Sequence, residues 1–282
     1  MTNPMGRLRI SAISYLNTAP LMWNFEHGNA GSQFEIGYTI PSACARALRE
    51  GSADIGIIPA AAYVTIPDLV ILPGVAIAAQ RAVRSILLVS KVRLEKIRTI
   101  ALDTSSMTSV ALTKVIFAKW LGGVRAYTAM APNLEKMLEE HDAGLLIGDP
   151  ALQVDRSRYR TYDLAEEWIR LTGKPFVFAF WAVRRAALQS APADLDLAAV
   201  FQASRNHGLE PTSLDEIAKT WGPQLNLTGA EVKSYLTENI YYYLDSGCLQ
   251  GLRLFYRYAA QCGALPKAPA LEFYELPKAI AK

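Results

Sequence analysis

Residues 176–183 read FVFAFWAV, eight consecutive apolar residues. A strand with one face in water alternates apolar and polar residues, whereas a strand covered on both faces is apolar throughout. The run therefore predicts a strand at the centre of a sheet that has helices on both sides. Residues 85–89 (SILLV) show a similar pattern earlier in the chain.

Short apolar runs alternate with helix-like segments through the first two thirds of the chain, which is typical of an α/β fold. The predicted strands are Leu8–Ile13, Asp54–Ile58, Leu69–Leu72, Val75–Ala79, Ser85–Val89, Thr99–Leu102, Gly144–Ile147 and Phe176–Val183. Helices lie between the strands and begin near residues that favour capping. The predicted capping residues are Ser42 for helix 43–50, Ser106 or Thr108 for helix 109–121, and Asn133 for helix 134–141.

The pattern changes after about residue 190, where no further strand is predicted. Four amphipathic helices follow: Asp194–His207, Ser213–Trp221, Gly229–Leu244 and Leu249–Cys262. This order predicts two α/β lobes, one formed by residues 1–83 and 184–282 and the other by residues 84–183. The apolar strands 85–89 and 176–183 lie where the chain would cross between lobes. A ligand cleft is expected between the lobes, lined by strand ends and helix N-termini.

Composition excludes several classes of protein. The 282 residues correspond to about two domains. A net charge of +3 and an apolar content of 51% argue against a nucleic-acid or membrane-surface partner and against a disordered chain. The longest apolar stretches are far shorter than the ~18 residues of a membrane span, and residues 1–10 lack a signal-peptide core. We therefore expect a cytoplasmic protein, either a monomer or a homodimer paired through its C-terminal helices.

Polar residues follow the first predicted strand in the sequence SYLNTAP (residues 14–20). In an open α/β sheet, a turn between a strand and the next helix lies at the edge where ligands bind. We therefore predict that Tyr15, Asn17 and Thr18 contact a ligand. The alternative is that Asn17 or Thr18 only caps the following helix.

A second polar loop, DTSSMTS (residues 103–109), separates the strand 99–102 from the next helix. Its five hydroxyl residues exceed what one helix cap needs; they are Thr104, Ser105, Ser106, Thr108 and Ser109. Hydroxyls together with the free N–H groups of a helix N-terminus form a receptor for an anion. Because the loop contains no glycine, it is not a phosphate-binding P-loop, and a carboxylate is the expected ligand.

Two further positions are candidates for the cleft. Asp149 follows the strand 144–147 and is predicted either to orient a ligand hydroxyl or to cap the next helix. Ser85 lies at a predicted lobe crossing and would form the floor of the cleft, with Arg84 beside it. Arg84 or Arg81 would add positive charge if its side chain reached the cleft.

Sequence motifs of other chemistries are absent. The three histidines fall within or at the end of predicted helices, and the three cysteines show no CxxC spacing, so neither a zinc site nor a disulfide framework is indicated. The chain also lacks GxSxG, HExxH and GxGxxG motifs. We therefore expect a cleft that binds a small carboxylate without a metal or cofactor.

The polar loops belong to six motifs that closely resemble those of one family. They are ISYLNTAP (13–20), ADIGIIPA (53–60), AVRSILL (82–88), ALDTSSMTS (101–109), LIGDP (146–150) and KPFVFAFW (174–181). The chain resembles the chorismate dehydratases, which catalyse the first step of the futalosine route to menaquinone, and the resemblance covers residues 8–260. It implies a fold like that of type II periplasmic solute-binding proteins.

The resemblance also implies a reaction, the loss of water from chorismate to give 3-[(1-carboxyvinyl)oxy]benzoate by a lyase that uses no cofactor. It suggests Asn17 and Ser85 as the polar side chains nearest the chemistry, with loop 104–109 holding a substrate carboxylate. The base that removes the ring proton would be Asp149 or the substrate's own enolpyruvyl carboxylate.

Three alternatives stay open on the sequence. The sibling enzyme 1,4-dihydroxy-6-naphthoate synthase shares the fold but carries a His-Glu pair where this chain has Gly148-Asp149. A non-catalytic carboxylate-binding protein would have the same lobes. Exported binding proteins need a signal peptide or a lipobox cysteine, however, and residues 1–10 show neither. A ligand-sensing regulatory domain would normally come with a DNA-binding segment, and no such pattern precedes Leu8.

Overall fold

Ten strands form two five-stranded sheets in the computed structural model, which describes residues 7–189, 191–192 and 195–275. The strands are β1 Leu8–Ile13, β2 Phe34–Thr39, β3 Ile55–Pro59, β4 Leu69–Ala79, β5 Ile86–Ser90, β6 Thr99–Asp103, β7 Ala126–Met130, β8 Ala143–Ile147, β9 Arg160–Asp163 and β10 Phe176–Arg184. Sheet I has the order β2-β1-β3-β10-β4 and sheet II the order β7-β6-β8-β5-β9.

The two sheets share one topology. In sheet I, β1 is parallel to β2 and β3, and β10 is antiparallel to β3 and β4. In sheet II, β6 is parallel to β7 and β8, and β5 is antiparallel to β8 and β9. Each sheet therefore has four parallel strands and one antiparallel strand, which is the first strand after a chain crossing: β5 in sheet II and β10 in sheet I.

Twelve α-helices surround the sheets in the described ranges. They are α1 Ala19–His27, α2 Pro41–Glu50, α3 Ala60–Tyr63, α4 Thr108–Ile116, α5 Leu134–Glu140, α6 Gly148–Leu152, α7 Leu164–Thr172, α8 Arg185–Leu188, α9 Leu197–Gly208, α10 Pro211–Leu225, α11 Gly229–Ser234 and α12 Ser246–Gln261. Residues 16–18, 30–33 and 94–96 form 3₁₀ turns, and residues 117–121 and 235–239 are π-helical. None of these helices is long and apolar enough to span a membrane.

The α/β prediction is confirmed, and most central strands lie close to their predicted positions. The two strands predicted at 69–72 and 75–79 are one continuous strand, β4. Three strands were not predicted at all, namely β2, β7 and β9, and each lies at an edge of its sheet. Most of their residues are partly or fully exposed, so no continuous apolar run marks them.

The strand β10 decides how the chain is divided. The predicted boundary at residue 183 assigns this strand to the second lobe, but β10 pairs with β3 and β4 in sheet I. The crossing back to sheet I therefore lies between Thr172, where α7 ends, and Phe176. All residues of β10 up to Val183 are buried, as its apolar sequence predicts.

Several predicted helix ends are corrected. The side chain of Asn133 caps α5 as predicted, by accepting a hydrogen bond from the N–H of Lys136. By contrast, α1, α2 and α4 have no side-chain cap, so Thr18, Ser42 and Ser106 do not serve that purpose.

The helix predicted over 229–244 ends in the π-helical turn 235–239, after which Tyr241 makes a β-bridge to Ala78 of sheet I. The backbone hydrogen bonds of this bridge end the helix earlier than its periodicity suggests. The predicted helix start at Asp194 lies outside the described residues.

Candidate active site

A cavity of about 50 Å³ lies where the two sheets face each other. Sheet I and its helices contribute one wall, sheet II and α4 the other, and no lining residue carries a formal charge. The lining residues are Ile13, Tyr15, Asn17, Pro41, Pro59, Ile77, Ile86, Ser106, Met107, Thr108, Ser109, Ile147, Gly148, Phe178 and Ala179. The two polar loops predicted from the sequence therefore meet in one hollow.

The turn after β1 crosses the cleft to sheet II. The backbone N–H of Leu16 donates a hydrogen bond to Asp149 Oδ1 at 3.0 Å. The ring of Tyr15 packs on Gly148, where an added Cβ would lie 2.5 Å from the ring, and Gly148 has a φ of +62°. Only glycine combines this backbone conformation with such close approach.

Asn17 and Thr18 have different environments within this turn. Asn17 lines the cavity, and its carbonyl oxygen accepts a hydrogen bond from the buried Tyr242 hydroxyl at 2.9 Å. Thr18 is 1% exposed and does not line the cavity, and its hydroxyl donates to Asn17 Oδ1 at 3.3 Å. Thr18 therefore supports the side chain of Asn17. It is not positioned to contact a ligand in the cavity directly, which corrects the prediction for this residue.

The five hydroxyl residues in the loop before α4 have different environments. Ser105 is held by Asp103, whose Oδ1 accepts both its N–H and its hydroxyl. Thr108 bridges to sheet I, because its hydroxyl donates to Phe178 O and accepts the N–H of Ala61. Thr104 is exposed. Ser106 and Ser109 remain at the cavity wall.

The N-terminus of α4 opens on the same cavity. Its first residues, Thr108 and Ser109, line the hollow together with Met107 and Ser106, and no side chain caps the helix. The first N–H groups of a helix have no intrahelical partner, and the helix dipole favours negative charge beside them. This end of the cavity is therefore suited to a carboxylate.

Asp149 lies at the opposite side of the cavity, next to the lining residue Gly148. Burial raises the pKa of its carboxyl to about 6, although the hydrogen bond from Leu16 opposes the shift. The side chain of Asp149 does not line the cavity. Its contact with Leu16 makes it a link between the two walls.

Ser85 and Arg84 lie in the segment that connects β4 to β5. Ser85 is completely buried, and its hydroxyl makes only a long contact of 3.5 Å with Val83 O. Arg84 has a φ of +64°, and its N–H donates to Asp163 Oδ2 at 2.7 Å. Arg84 is half-buried, Arg81 is exposed, and neither lines the cavity.

One residue near the cavity was missed by the sequence reasoning. The hydroxyl of Tyr235 is fully buried close to the side chains of Ser85 and Asn17, and none of its contacts among the described residues has the geometry of a hydrogen bond. Leaving such a group unpaired costs about 1–3 kcal/mol. No local motif marks Tyr235, because the sequence predicts a continuous helix there instead of the turn that positions it.

The described residues contain no group of three or more His, Cys, Asp or Glu side chains that could hold a metal ion. None of the three histidines lines the cavity. The chemistry available at the walls is therefore that of hydroxyls, amides, peptide N–H groups and the neighbouring Asp149.

Comparison with known proteins supports the same architecture. A protein from Archaeoglobus fulgidus superposes with a TM-score of 0.72 at 17% identity, covering 92% of this chain and 98% of that one. The alkanesulfonate-binding protein SsuA of Xanthomonas axonopodis pv. citri gives a TM-score of 0.64 at 17% identity, covering 95% and 96%. The predicted likeness to periplasmic binding proteins is thus confirmed.

Sequence comparison goes further than the fold. The chain is 29% identical over 273 residues to a chorismate dehydratase of Thermus thermophilus, covering 90% of this chain and 94% of that protein. A family described as menaquinone biosynthesis matches residues 8–261. Because this match spans nearly the whole chain and includes both cavity walls, the chain belongs to the menaquinone biosynthesis family.

Proposed function

We propose that this protein is a chorismate dehydratase, a hydro-lyase that converts chorismate to 3-[(1-carboxyvinyl)oxy]benzoate in menaquinone biosynthesis. The observation that carries the proposal is the meeting of the α4 N-terminus and the Asn17 turn in one cavity. The family match and the similarity to a chorismate dehydratase support the same substrate.

The cavity walls suit the two carboxylates of chorismate. One carboxylate is bound at the α4 N-terminus, where Ser106 and Ser109 add hydroxyl donors to the peptide N–H groups. The other is bound near the turn at Asn17 on the facing wall. The apolar residues between these two ends, among them Ile77 and Phe178, contact the ring and exclude water.

The reaction removes the proton at ring C3 and the hydroxyl at C4. The electrons of the C3–H bond form the new ring double bond, and those of the C4–O bond leave with oxygen, which takes up a proton to become water. Formation of the aromatic ring drives the reaction, so the protein mainly has to position the groups.

The base is the substrate's enolpyruvyl carboxylate in this proposal. The alternative base, Asp149, already accepts the N–H of Leu16. Ser85 and Asn17 then hydrogen-bond the departing hydroxyl, and Asp149 holds the turn that carries Asn17.

The direct test is to incubate purified protein with chorismate. We expect a product lighter by one water and loss of the cyclohexadiene absorbance, with turnover greatly reduced in Asn17→Ala and Ser85→Ala. If chorismate quenches tryptophan fluorescence but is recovered unchanged, the protein is a binding protein and the proposal is wrong.

A further inference from the structure

The Tyr235 hydroxyl is placed beside Asn17, which lines the cavity, by an unusual backbone segment. Residues 235–239 form a π-helical turn, in which the N–H of Ile240 donates to the carbonyl of Tyr235 at 3.2 Å. Such turns occur mostly as single insertions in α-helices and frequently at functional sites. This one is tied to the lobe crossing, because Asn239 Nδ2 donates to Ala82 O at 2.9 Å.

The hydroxyl of Tyr235 differs from those of two other buried tyrosines, both of which make hydrogen bonds. Tyr242 is as deeply buried as Tyr235, and its hydroxyl donates to Asn17 O. Tyr256, also buried, donates to Ala60 O at 2.7 Å. Tyr235 alone of these three lacks a partner, and its hydroxyl faces Ser85 and Asn17, with Asp149 and Arg84 as the nearby charges.

We propose that Tyr235 is a further catalytic residue, whose hydroxyl donates a hydrogen bond to the C4 oxygen as it leaves chorismate. This inference rests on the proposed function. As the C4–O bond breaks, negative charge develops on the oxygen, and a donor already oriented in a water-free site stabilises that charge. The oxygen receives the proton taken from C3 and leaves as water, so Tyr235 ends the cycle unchanged.

The surroundings of Tyr235 support a role as donor. Burial holds the pKa of the Tyr235 phenol well above its ordinary value, so the group keeps its proton at neutral pH. Ser85 makes only one long contact of its own, which leaves its hydroxyl free to act together with Tyr235.

The test compares Tyr235→Phe with the wild-type protein and with Tyr256→Phe, which also removes a buried phenol hydroxyl. For Tyr235→Phe we expect kcat for chorismate to fall by about 10²-fold with little change in KM. The affinity for 3-[(1-carboxyvinyl)oxy]benzoate should stay within twofold, because this product lacks the C4 hydroxyl. Tyr256→Phe should keep the wild-type kcat.

Thermal unfolding separates catalysis from structure. Tyr235→Phe removes an unpaired buried hydroxyl, so its Tm should equal or exceed that of the wild type, whereas Tyr256→Phe loses a hydrogen bond and should have a lower Tm. A kcat within threefold of wild type, or a loss of kcat together with lower Tm and weaker product binding, overturns the role of Tyr235. If the wild type itself does not convert chorismate, the proposed function fails and this inference with it.

Discussion

Asp149 is a buried carboxyl group beside the cleft. Burial raises its pKa from 3.8 to about 6, so the folded protein binds this proton more tightly than the unfolded chain does. The stabilisation from proton binding is therefore complete below about pH 4 and is lost as the pH rises through 6. A shift of this size corresponds to about 3 kcal/mol.

Replacing Asp149 by asparagine should remove this pH dependence. The amide oxygen still accepts the Leu16 N–H, but no charge has to be buried at neutral pH. We expect Asp149→Asn to be more stable than wild type by up to about 3 kcal/mol at pH 7.5 and equally stable at pH 3.5. Urea unfolding at both pH values measures the difference in stability between the variant and the wild type. The same difference at pH 7.5 and at pH 3.5 would contradict the prediction.

The same variant identifies the base. If Asp149 only orders the turn, Asp149→Asn should convert chorismate within tenfold of the wild-type rate, since the contact with Leu16 is kept. A loss of ~10²-fold or more would be the size expected for removal of a general base, and would assign that role to Asp149 in place of the substrate carboxylate.

The helix α4 illustrates how one element serves both walls of the cleft. Its N-terminus faces the cavity, and its first residue, Thr108, is hydrogen-bonded to Ala61 and Phe178 on the sheet I side. The Thr108 hydroxyl, which the sequence suggests as a ligand contact or a helix cap, therefore connects the two walls. This connection also sets the position of the N-terminus of α4.

Thr108→Val tests that connection, because valine has nearly the shape of threonine but cannot hydrogen-bond. It leaves the buried Phe178 carbonyl and Ala61 N–H unpaired, so the free energy of unfolding should fall by about 2–3 kcal/mol, with a higher KM for chorismate. Thr108→Ser keeps the hydroxyl and should be much closer to wild type in both measurements. Equal behaviour of the two variants would show that the hydroxyl has no such role.

At the scale of the whole molecule, the two walls leave little space between them at the cavity. A volume of about 50 Å³ is far below the roughly 300–1,000 Å³ of typical ligand pockets, and chorismate has a six-membered ring and two carboxylates. The walls must therefore separate to admit substrate. The hydrogen bonds that join the walls at the cavity include Leu16 N to Asp149 Oδ1 and Ser42 N to Ser105 O at 3.1 Å.

A reversible crosslink should show whether this opening is required. The backbones of Ser42 and Ser105 are hydrogen-bonded to each other, which makes the double variant Ser42→Cys/Ser105→Cys the choice for a disulfide across the cleft. We expect its oxidised form to have no turnover and its reduced form to recover activity, while each single variant is insensitive to oxidation. A fully crosslinked protein that still converts chorismate would disprove the need for opening.

The amino-acid sequence by itself determined the α/β class, most central strands and the two loops that meet at the cavity. These features depend on local properties, since a strand buried on both faces must be apolar and a ligand loop must follow a strand. The sequence did not reveal β2, β7 and β9, because edge strands are partly exposed and lack that apolar run.

Only the tertiary structure decided which groups meet across the cleft. It assigned β10 to sheet I, used Thr108 for hydrogen bonds to Ala61 and Phe178, and placed Tyr235 beside Ser85. These contacts join segments up to about half of the chain apart. Their partners are selected by long-range packing and by the need to satisfy buried polar groups, and neither leaves a local pattern in the sequence.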